Sequence, residues 1–255
     1  YGMKLSPVFI VGVGRSGTTL IRQMINNHSK IAIPYESHFI TKYLEQMSQY
    51  GDLQQDDKVR RLIVDICNEP ILANWDFVPT VDDVFDALSE RTLAAVIDAF
   101  FCTYAKHHGK VRWGDKSDYL DRMYQIKQVF PNARFIHIIR DGRDVALSVL
   151  KMSWGPRNIR DAAEWWGTHV KLGRAMGRML EKSQYFEVKY EELVSDPQGK
   201  LAEICEFIGV EFEPEMLEFY KTSKTYIPQN LLHQHYNADS AANTSRLAAW
   251  LREMS

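Results

Sequence analysis

Three closely spaced glycines form the part of this sequence best suited to chemistry. Residues Val8–Thr19 read VFIVGVGRSGTT: an apolar run leads into Gly12, Gly14 and Gly17, and a helical pattern begins at Thr18. A strand, a glycine-rich turn and a helix start together direct backbone N–H groups and the positive end of the helix dipole at an anion. The sequence therefore predicts a phosphate-binding loop.

The glycine spacing matches that of a nucleotide-binding P-loop, with one difference. Thr18 occupies the position of the P-loop lysine, which normally reaches the β- and γ-phosphates of a nucleoside triphosphate. Its absence indicates a ligand other than ATP or GTP, and Arg15 places a permanent positive charge in the loop instead. A nucleotide kinase or NTPase is the alternative, but it would need that lysine and an aspartate after an apolar strand to hold Mg²⁺.

A second strand–turn–helix segment lies at residues 134–148, which read RFIHIIRDGRDVALS. Asp141 is a candidate N-cap for its helix. The Arg140 guanidinium can bind an oxyanion through two N–H groups, and Ser148 can present a hydroxyl near the same place. Taken alone, the segment can equally be an ion-pair cluster at a helix start. Two such segments favour a ligand with two separated phosphate-type groups.

The surrounding elements must bring these two segments together. Short apolar runs alternate with helical periodicity, which is typical of an α/β fold with a parallel sheet covered by helices on both faces. The predicted strands are Val8–Val11, Lys30–Ile33, Val111–Trp113, Arg134–Ile139 and Tyr185–Val188. The predicted helices are Thr18–Asn27, Lys58–Cys67, Arg91–Lys106, Tyr119–Val129, Arg143–Met152, Ala162–Glu181 and Gly199–Ile208. Residues 39–110 lack a clear strand, so we expect a mainly helical cap over the carboxyl edge of the sheet, where such sheets bind ligands.

Size and composition fit one soluble globular domain spanning residues 1–255. The formal net charge of −2 provides no overall field that would attract nucleic acid or anionic lipid, so any anion site must be local. The three cysteines show neither metal-ligand nor disulfide spacing, which favours a reducing, cytoplasmic compartment and no metal site. No apolar run reaches the roughly 18–20 residues that a membrane span needs.

Four motifs, in order, resemble those of the sulfotransferases that use 3′-phosphoadenosine 5′-phosphosulfate (PAPS). Residues 14–19, GRSGTT, resemble the loop for the 5′-phosphosulfate, and residues 140–148 resemble the 3′-phosphate motif. Residues 113–117, WGDKS, and 190–193, YEEL, resemble two further segments of the bacterial and tyrosylprotein branch. The resemblance implies a P-loop-like α/β fold and transfer of a sulfuryl group from PAPS to an acceptor hydroxyl or amine, with 3′-phosphoadenosine 5′-phosphate (PAP) as the other product.

Glu36 is the expected general base for an acceptor hydroxyl. It closely follows the predicted strand Lys30–Ile33, so it should lie at the same edge of the sheet as the glycine loop. Tyrosylprotein-type relatives have a catalytic glutamate at this spacing from the loop arginine, and the resemblance implies the same role here. Without the resemblance, Glu36 is better interpreted as a surface residue that caps a helix starting near Ser37, and His38 is a competing base.

The resemblance also implies the residues that bind the donor and stabilise charge. Arg15 and Lys116 would stabilise charge on the sulfuryl group during in-line transfer, without a metal ion. Lys116 follows the predicted strand Val111–Trp113, where a solvated lysine is the alternative. The implied PAPS- and PAP-binding residues are Gly14, Arg15, Ser16, Gly17, Thr18, Thr19, Arg140, Ser148 and Tyr190.

Several aromatic residues have structural as well as functional interpretations. Tyr190, at the end of the last predicted strand, can pack on the adenine or belong to the core. We expect His137, in an apolar strand, and Trp165 and Trp166, in a long helix, to be structural. Trp154 is a candidate for the acceptor pocket.

The acceptor is expected to be a hydroxylated small molecule, a carrier-bound group or a peptide. The predicted cap at residues 39–110 would shape its pocket, and the polar tail Thr222–Ser240 would order over the ligand. An inactive module that only binds PAP or PAPS is a further alternative. Glu36 and Lys116 argue against it, because a sensor needs neither.

Overall fold

A five-stranded parallel sheet with the order β2-β3-β1-β4-β5 lies at the centre of the structure. The computed structural model describes residues 6–222 and 241–253. The strands are β1 (Val8–Val11), β2 (Ile31–Ala32), β3 (Arg112–Lys116), β4 (Arg134–Ile139) and β5 (Tyr185–Lys189). The predicted α/β fold, with a parallel sheet flanked by helices, is confirmed.

Helices cover both faces of this sheet. They are α1 (Thr18–Asn26), α2 (Phe39–Gln46), α3 (Asp56–Cys67), α4 (Val81–Asp86), α5 (Leu93–His107), α6 (Met123–Val129), α7 (Gly142–Val149), α8 (Ile159–Arg178), α9 (Tyr190–Ser195), α10 (Pro197–Ile208) and α11 (Trp250–Glu253). Three 3₁₀ segments at Met47–Gln49, Pro70–Asn74 and Pro214–Lys221 join them. Among the described residues, no helix is long and apolar enough to cross a bilayer.

The alternation of side chains along β1 divides the core into two clusters. Phe9 faces one cluster, where its ring stacks on Phe135 at 5.3 Å between ring centroids and meets the edge of Trp113 at 5.7 Å. Ile10 faces the other cluster, in which Ile21 of α1 is also buried. β1 is the central strand of the sheet, and both of its faces are covered. The glycine loop that follows β1 is therefore held on a rigid support.

The stretch between β2 and β3 is helical, as the absence of a strand pattern predicts. Its last helix, α5, packs on the sheet through a stacked contact between Phe101 and Trp113, with 4.5 Å between ring centroids. Part of the stretch therefore covers a face of the sheet. Its role as a cap on the acceptor side stays a prediction.

Two of the differences between the observed and the predicted element boundaries concern candidate site residues. Lys116 is the last residue of β3 and does not follow the strand, because Gly114, Asp115 and Lys116 pair with Val8–Ile10 of β1. Tyr190 begins α9 and does not end β5. Both changes matter for the site, since they fix the backbone of two candidate residues within regular structure.

The aromatic cluster around Phe9 should dominate stability. Phe9→Ala removes a fully buried ring, and we expect it to lower the free energy of unfolding by about 3–5 kcal/mol. Val111→Ala is the control: its side chain is 67% exposed, and the change should stay within about 0.5 kcal/mol. Urea unfolding followed by circular dichroism measures both values, and equal effects would contradict this account of the core.

Candidate active site

The glycine loop joins β1 to α1 in a conformation suited to anions. Arg15 and Gly17 both have positive φ, 72° and 97°, and the Ser16 N–H closes a turn by donating to the Val13 carbonyl at 3.1 Å. Residues in this left-handed region turn successive backbone N–H groups towards one side. The first N–H groups of α1, which begins at Thr18, have no acceptor within the helix. The loop can therefore offer several backbone donors to one oxyanion.

Close packing restricts side chains at two glycines of this loop. A Cβ atom at Gly17 would lie 2.5 Å from the ring of Tyr190. A Cβ atom at Gly14 would lie 3.1 Å from the ring of Trp154. The Trp154 ring is itself 56% exposed, so it forms an open aromatic surface beside the loop. Trp154 as part of an acceptor pocket stays a prediction.

The second predicted segment is fixed by several contacts. The Asp141 side chain accepts a hydrogen bond from the Arg143 N–H at 2.8 Å, which confirms it as the N-cap of α7. The Asp141 N–H in turn donates to Glu191 at 2.8 Å. The indole N–H of Trp166 donates to the Arg140 carbonyl at 3.0 Å. The turn that carries Arg140 is therefore held from α8 and α9 together.

Arg140 projects its guanidinium over the ring of Tyr190, 4.5 Å from the ring centroid. Asp144 lies at 3.9 Å, beyond hydrogen-bonding distance but close enough for a charge interaction. The Nε of Arg140 is buried and has no hydrogen-bond partner among the described residues. A buried, charged donor without an acceptor is costly, and an anionic ligand would satisfy it.

The two predicted anion segments meet. Arg15 Nε donates to Ser148 Oγ at 3.0 Å, and Arg140 donates to the Arg15 carbonyl at 3.3 Å. One cavity contains residues of both segments. The predicted nucleotide-binding residues that line it are Arg15, Gly17, Thr18, Thr19, Arg140, Ser148 and Tyr190, whereas Gly14 and Ser16 do not. The distance between the segments therefore permits a single ligand to touch both.

The end of the described chain closes over this cavity. The Trp250 N–H donates to Asp144 at 3.0 Å, and the Arg143 guanidinium lies 3.8 Å from the centroid of the Trp250 ring. Arg140 donates to the Arg246 carbonyl at 3.1 Å, and Arg246 lines the cavity. Residues 223–240, which comprise most of the tail expected to cover the ligand, lie outside the described residues.

Glu36, Lys116 and His38 form a second polar cluster at the same edge of the sheet. Lys116 donates a hydrogen bond to Glu36 Oε1, and His38 Nε2 donates to Glu36 Oε2 at 2.8 Å. Lys116 pairs in register with Ile10, two residues before the glycine loop. Burial raises the pKa of the neighbouring Tyr35 hydroxyl to about 12; the Glu36 carboxylate acts in the same direction, and the Arg15 guanidinium acts against it. These three side chains do not line the cavity described above.

Charge and burial act in opposite directions on this cluster. Burial disfavours the charged form of Glu36, but the Lys116 ammonium and the hydrogen bonds from His38 and Lys116 outweigh it and hold its pKa well below the usual range. The hydrogen bond to Glu36 raises the pKa of His38. The lowered pKa of Glu36 favours its carboxylate, and the raised pKa of His38 favours the imidazolium that donates to it. In this state Glu36 is an ionised acceptor with two donors on it, and it does not cap α2.

A buried network beneath the cluster fixes its backbone. Asp115, which is fully buried, accepts hydrogen bonds from the hydroxyls of Ser37 and Ser117. Ser117 Oγ also accepts from the N–H groups of Ser37 and His38, at 2.9 and 3.2 Å. His38 has a φ of 55°, an uncommon conformation for a residue with a side chain. The network holds this loop in place, and the Asp115 carboxylate also accepts a hydrogen bond from the Lys116 backbone N–H.

Several contacts at the site were not foreseen from the sequence. Glu191 and Trp166 support the Arg140 turn, and the indole N–H of Trp75 donates to the Glu36 carbonyl at 3.3 Å. Glu191 lies within the YEEL segment, so the motif gave a signal for it. The two tryptophans come from distant helical segments and gave none. His137 is buried, with its Nδ1 2.6 Å from the Tyr185 hydroxyl, and has the structural role expected of it.

The structure is an α/β fold with a P-loop-like loop, and residues of both predicted anion segments line one cavity. The sequence profile of the sulfotransferase family matches residues 7–214, so the chain belongs to the sulfotransferase family. This confirms the resemblance seen in the four motifs.

Curated relatives are similar over most of this chain but are longer. An uncharacterized protein of Aquifex aeolicus is 27% identical over 227 residues, which cover 86% of this chain and 27% of that protein. Protein-tyrosine sulfotransferase 2 of Gallus gallus is 26% identical over 224 residues, which cover 85% of this chain and 54% of the relative. The chain thus spans about half the length, or less, of these two relatives.

Two solved structures have the same fold. The sulfotransferase domain from the Synechococcus PCC 7002 olefin synthase superposes with a TM-score of 0.64 at 21% identity, covering 100% of this chain and 90% of that one. The sulfotransferase domain from the curacin biosynthetic pathway superposes with a TM-score of 0.57 at 24% identity, covering 84% and 77%.

A comparison of Gly17 with Gly109 tests whether the Tyr190 ring restricts the residue at position 17. Gly109 also has positive φ, 68°, but a Cβ there would have no atom within 4 Å. Gly109→Ala should therefore cost only the backbone strain, about 1–2 kcal/mol, whereas Gly17→Ala must also displace the Tyr190 ring and should cost more. Urea unfolding of both variants measures the difference. Equal costs would show that the Tyr190 contact does not constrain the loop.

Proposed function

We propose that this protein transfers a sulfuryl group from PAPS to the hydroxyl of an acceptor. The single observation that carries the proposal is the Arg15–Ser148 hydrogen bond, which joins the two predicted anion segments within one cavity. PAPS carries a phosphosulfate at one end of its ribose and a phosphate at the other, and this matches two neighbouring anion sites. Membership of the sulfotransferase family supports the same donor.

The residues of the cavity fit the two anionic groups of this donor. The backbone N–H groups at the start of α1 and the Thr18 and Thr19 side chains would hold the 5′-phosphosulfate. Arg140, whose Nε is buried without a partner, and Ser148 would hold the 3′-phosphate. Tyr190 would pack against the nucleoside between them.

The transfer step needs a base and stabilisation of charge. The acceptor oxygen attacks sulfur while the bond from sulfur to the bridging phosphate oxygen breaks, and PAP leaves with that electron pair. Glu36 takes the proton of the acceptor hydroxyl. Arg15 and Lys116 stabilise the charge that develops on the bridging and sulfuryl oxygens, as preorganised cations do in phosphoryl transfer.

The ion pair between Glu36 and Lys116 bears directly on how Glu36 acts as a base. A carboxylate whose pKa is held this low by Lys116 is a weak base. When the sulfuryl group of the donor attracts the Lys116 ammonium, Glu36 loses part of that stabilisation and its pKa rises towards the usual range. Donor binding and activation of the base are thereby coupled through one lysine.

The acceptor we propose bears a hydroxyl group on a peptide, a small molecule or a carrier-bound chain. A peptide tyrosine is supported by the similarity to protein-tyrosine sulfotransferases. A metabolite chain is supported by the fold shared with domains of biosynthetic enzymes. The helical segment between β2 and β3 reaches the Glu36 loop through Trp75 and would form part of the acceptor side.

Glu36→Gln separates turnover from donor binding. The amide keeps the shape but cannot take a proton, so the rate of label transfer from PAPS to a hydroxylated acceptor should fall about 10²–10⁴-fold. Affinity for PAP should stay within about threefold, because Glu36 does not line the cavity. Glu164→Gln, at a site 67% exposed on α8, is the control and should keep full activity. Unchanged turnover in Glu36→Gln would sink the assignment of the base.

Arg140→Ala tests the 3′-phosphate site. Loss of a charged hydrogen-bond donor should weaken PAP binding about 10–100-fold by calorimetry. Adenosine 5′-phosphosulfate, which lacks the 3′-phosphate, should bind the variant and the original protein nearly equally. Arg160→Ala, whose side chain is 86% exposed, controls for loss of charge alone. Tighter binding of ATP with Mg²⁺ than of PAP by the original protein would favour a kinase instead.

A further inference from the structure

Gln23 is a buried amide that nothing in the described structure explains. It lies on α1 after the glycine loop and is 3% exposed. Its Oε1 and Nε2 atoms both lack a hydrogen-bond partner among the described residues. A buried amide with neither atom paired is rare, because taking it out of water without new hydrogen bonds costs free energy. The expected resolution is a ligand that supplies both an acceptor and a donor.

Gln23 lines the same cavity as the anion-binding residues, at a different place along it. Leu20 and Gln23 are three residues apart on α1 and so share a face, as Tyr190 and Val194 do on α9. Gln23 lies four residues beyond Thr19, about 6 Å further along the helix axis. The cavity therefore extends from the loop past apolar side chains to the side chain of Gln23.

This arrangement fits a flat heteroaromatic base. Leu20, Tyr190 and Val194 offer apolar surface for its faces and edges, and an amide offers one acceptor beside one donor. Adenine presents the matching pair: its 6-amino group donates, and the adjacent ring nitrogen accepts. The pairing of a carboxamide with adenine in this way is a general recognition mode.

We propose that Gln23 selects the base of the nucleotide, with its Oε1 accepting from the 6-amino group of adenine and its Nε2 donating to the neighbouring ring nitrogen. The inference rests on the proposed function, since it takes the donor to be a nucleoside bisphosphate. It adds a specificity-determining residue that none of the four motifs contains. Gln23 is a recognition residue and takes no part in the transfer step.

The proposed contact between Gln23 and adenine is tested by measuring two ligands against two proteins in a thermodynamic cycle. The ligands are PAP and purine riboside 3′,5′-bisphosphate, which lacks only the 6-amino group. The proteins are the original chain and Gln23→Met, which keeps an unbranched side chain but removes both polar atoms. Calorimetry should show the original protein binding PAP about tenfold more tightly than the purine analogue. In Gln23→Met the two ligands should bind equally.

Ser148→Ala is the matched control within the cavity. It should weaken both ligands alike and leave the tenfold preference for PAP intact, because its hydroxyl faces the phosphate end. If Gln23→Met does not fold, Gln23→Leu repeats the measurement with an apolar side chain of a different shape. The original protein's own ligand preference is a readout that does not depend on any variant.

Each remaining result has a defined meaning. Equal binding of PAP and the purine analogue by the original protein overturns the inference, and so does a preference that persists in both Gln23 variants. In either case PAP still binds, so the proposed function survives. Failure of the original protein to bind either bisphosphate would remove the proposed function itself, and the inference with it.

Discussion

The pairing of β1 with β4 is the constraint on which the rest of the site depends. Each strand ends in a turn and a helix start, and their parallel register places both ends at the same edge of the sheet. The Arg15–Ser148 hydrogen bond and the Arg140 contact with the loop carbonyl follow from this neighbourhood. Because β1 is buried on both faces, neither turn can move without disturbing the core.

The polar cluster of Glu36, Lys116 and His38 depends in the same way on β3, the other neighbour of β1. Pairing of β3 with β1 sets Lys116 beside Ile10. The Ser117 hydroxyl, which donates to the buried Asp115 carboxylate, accepts from the backbone N–H groups of Ser37 and His38, and in this loop Glu36 meets Lys116. Burial raises the pKa of Asp115, and hydrogen bonds from Ser37 and Ser117 offset only part of that effect. Keeping the Asp115 carboxylate charged in the core therefore costs free energy.

The sequence predicted the elements that burial alone determines. β1 and β4 match the predicted strands residue for residue, since strands covered on both faces are mostly apolar and stand out in the sequence. The end of β3 was missed because Gly114, Asp115 and Lys116 are poor strand formers that only pairing with β1 makes extended. The Glu36–Lys116 contact spans 80 residues of sequence, and the resemblance implied only that both act at one site. No pattern in the sequence predicts that the Gln23 amide lacks hydrogen-bond partners among the described residues.

Both cations that the proposed reaction needs beyond the loop already have a carboxylate near them. Arg140 has Asp144 at 3.9 Å, and Lys116 has Glu36. A cation held by a neighbouring carboxylate keeps a defined position without ligand, so a bound anion meets charges that are already in place. The chain can thus keep a net charge near zero and still bind a multiply charged nucleotide. The arrangement also orders the proposed events: an anion must first compete for Lys116 before Glu36 becomes a useful base, so an acceptor hydroxyl would be activated only when the sulfuryl donor is bound.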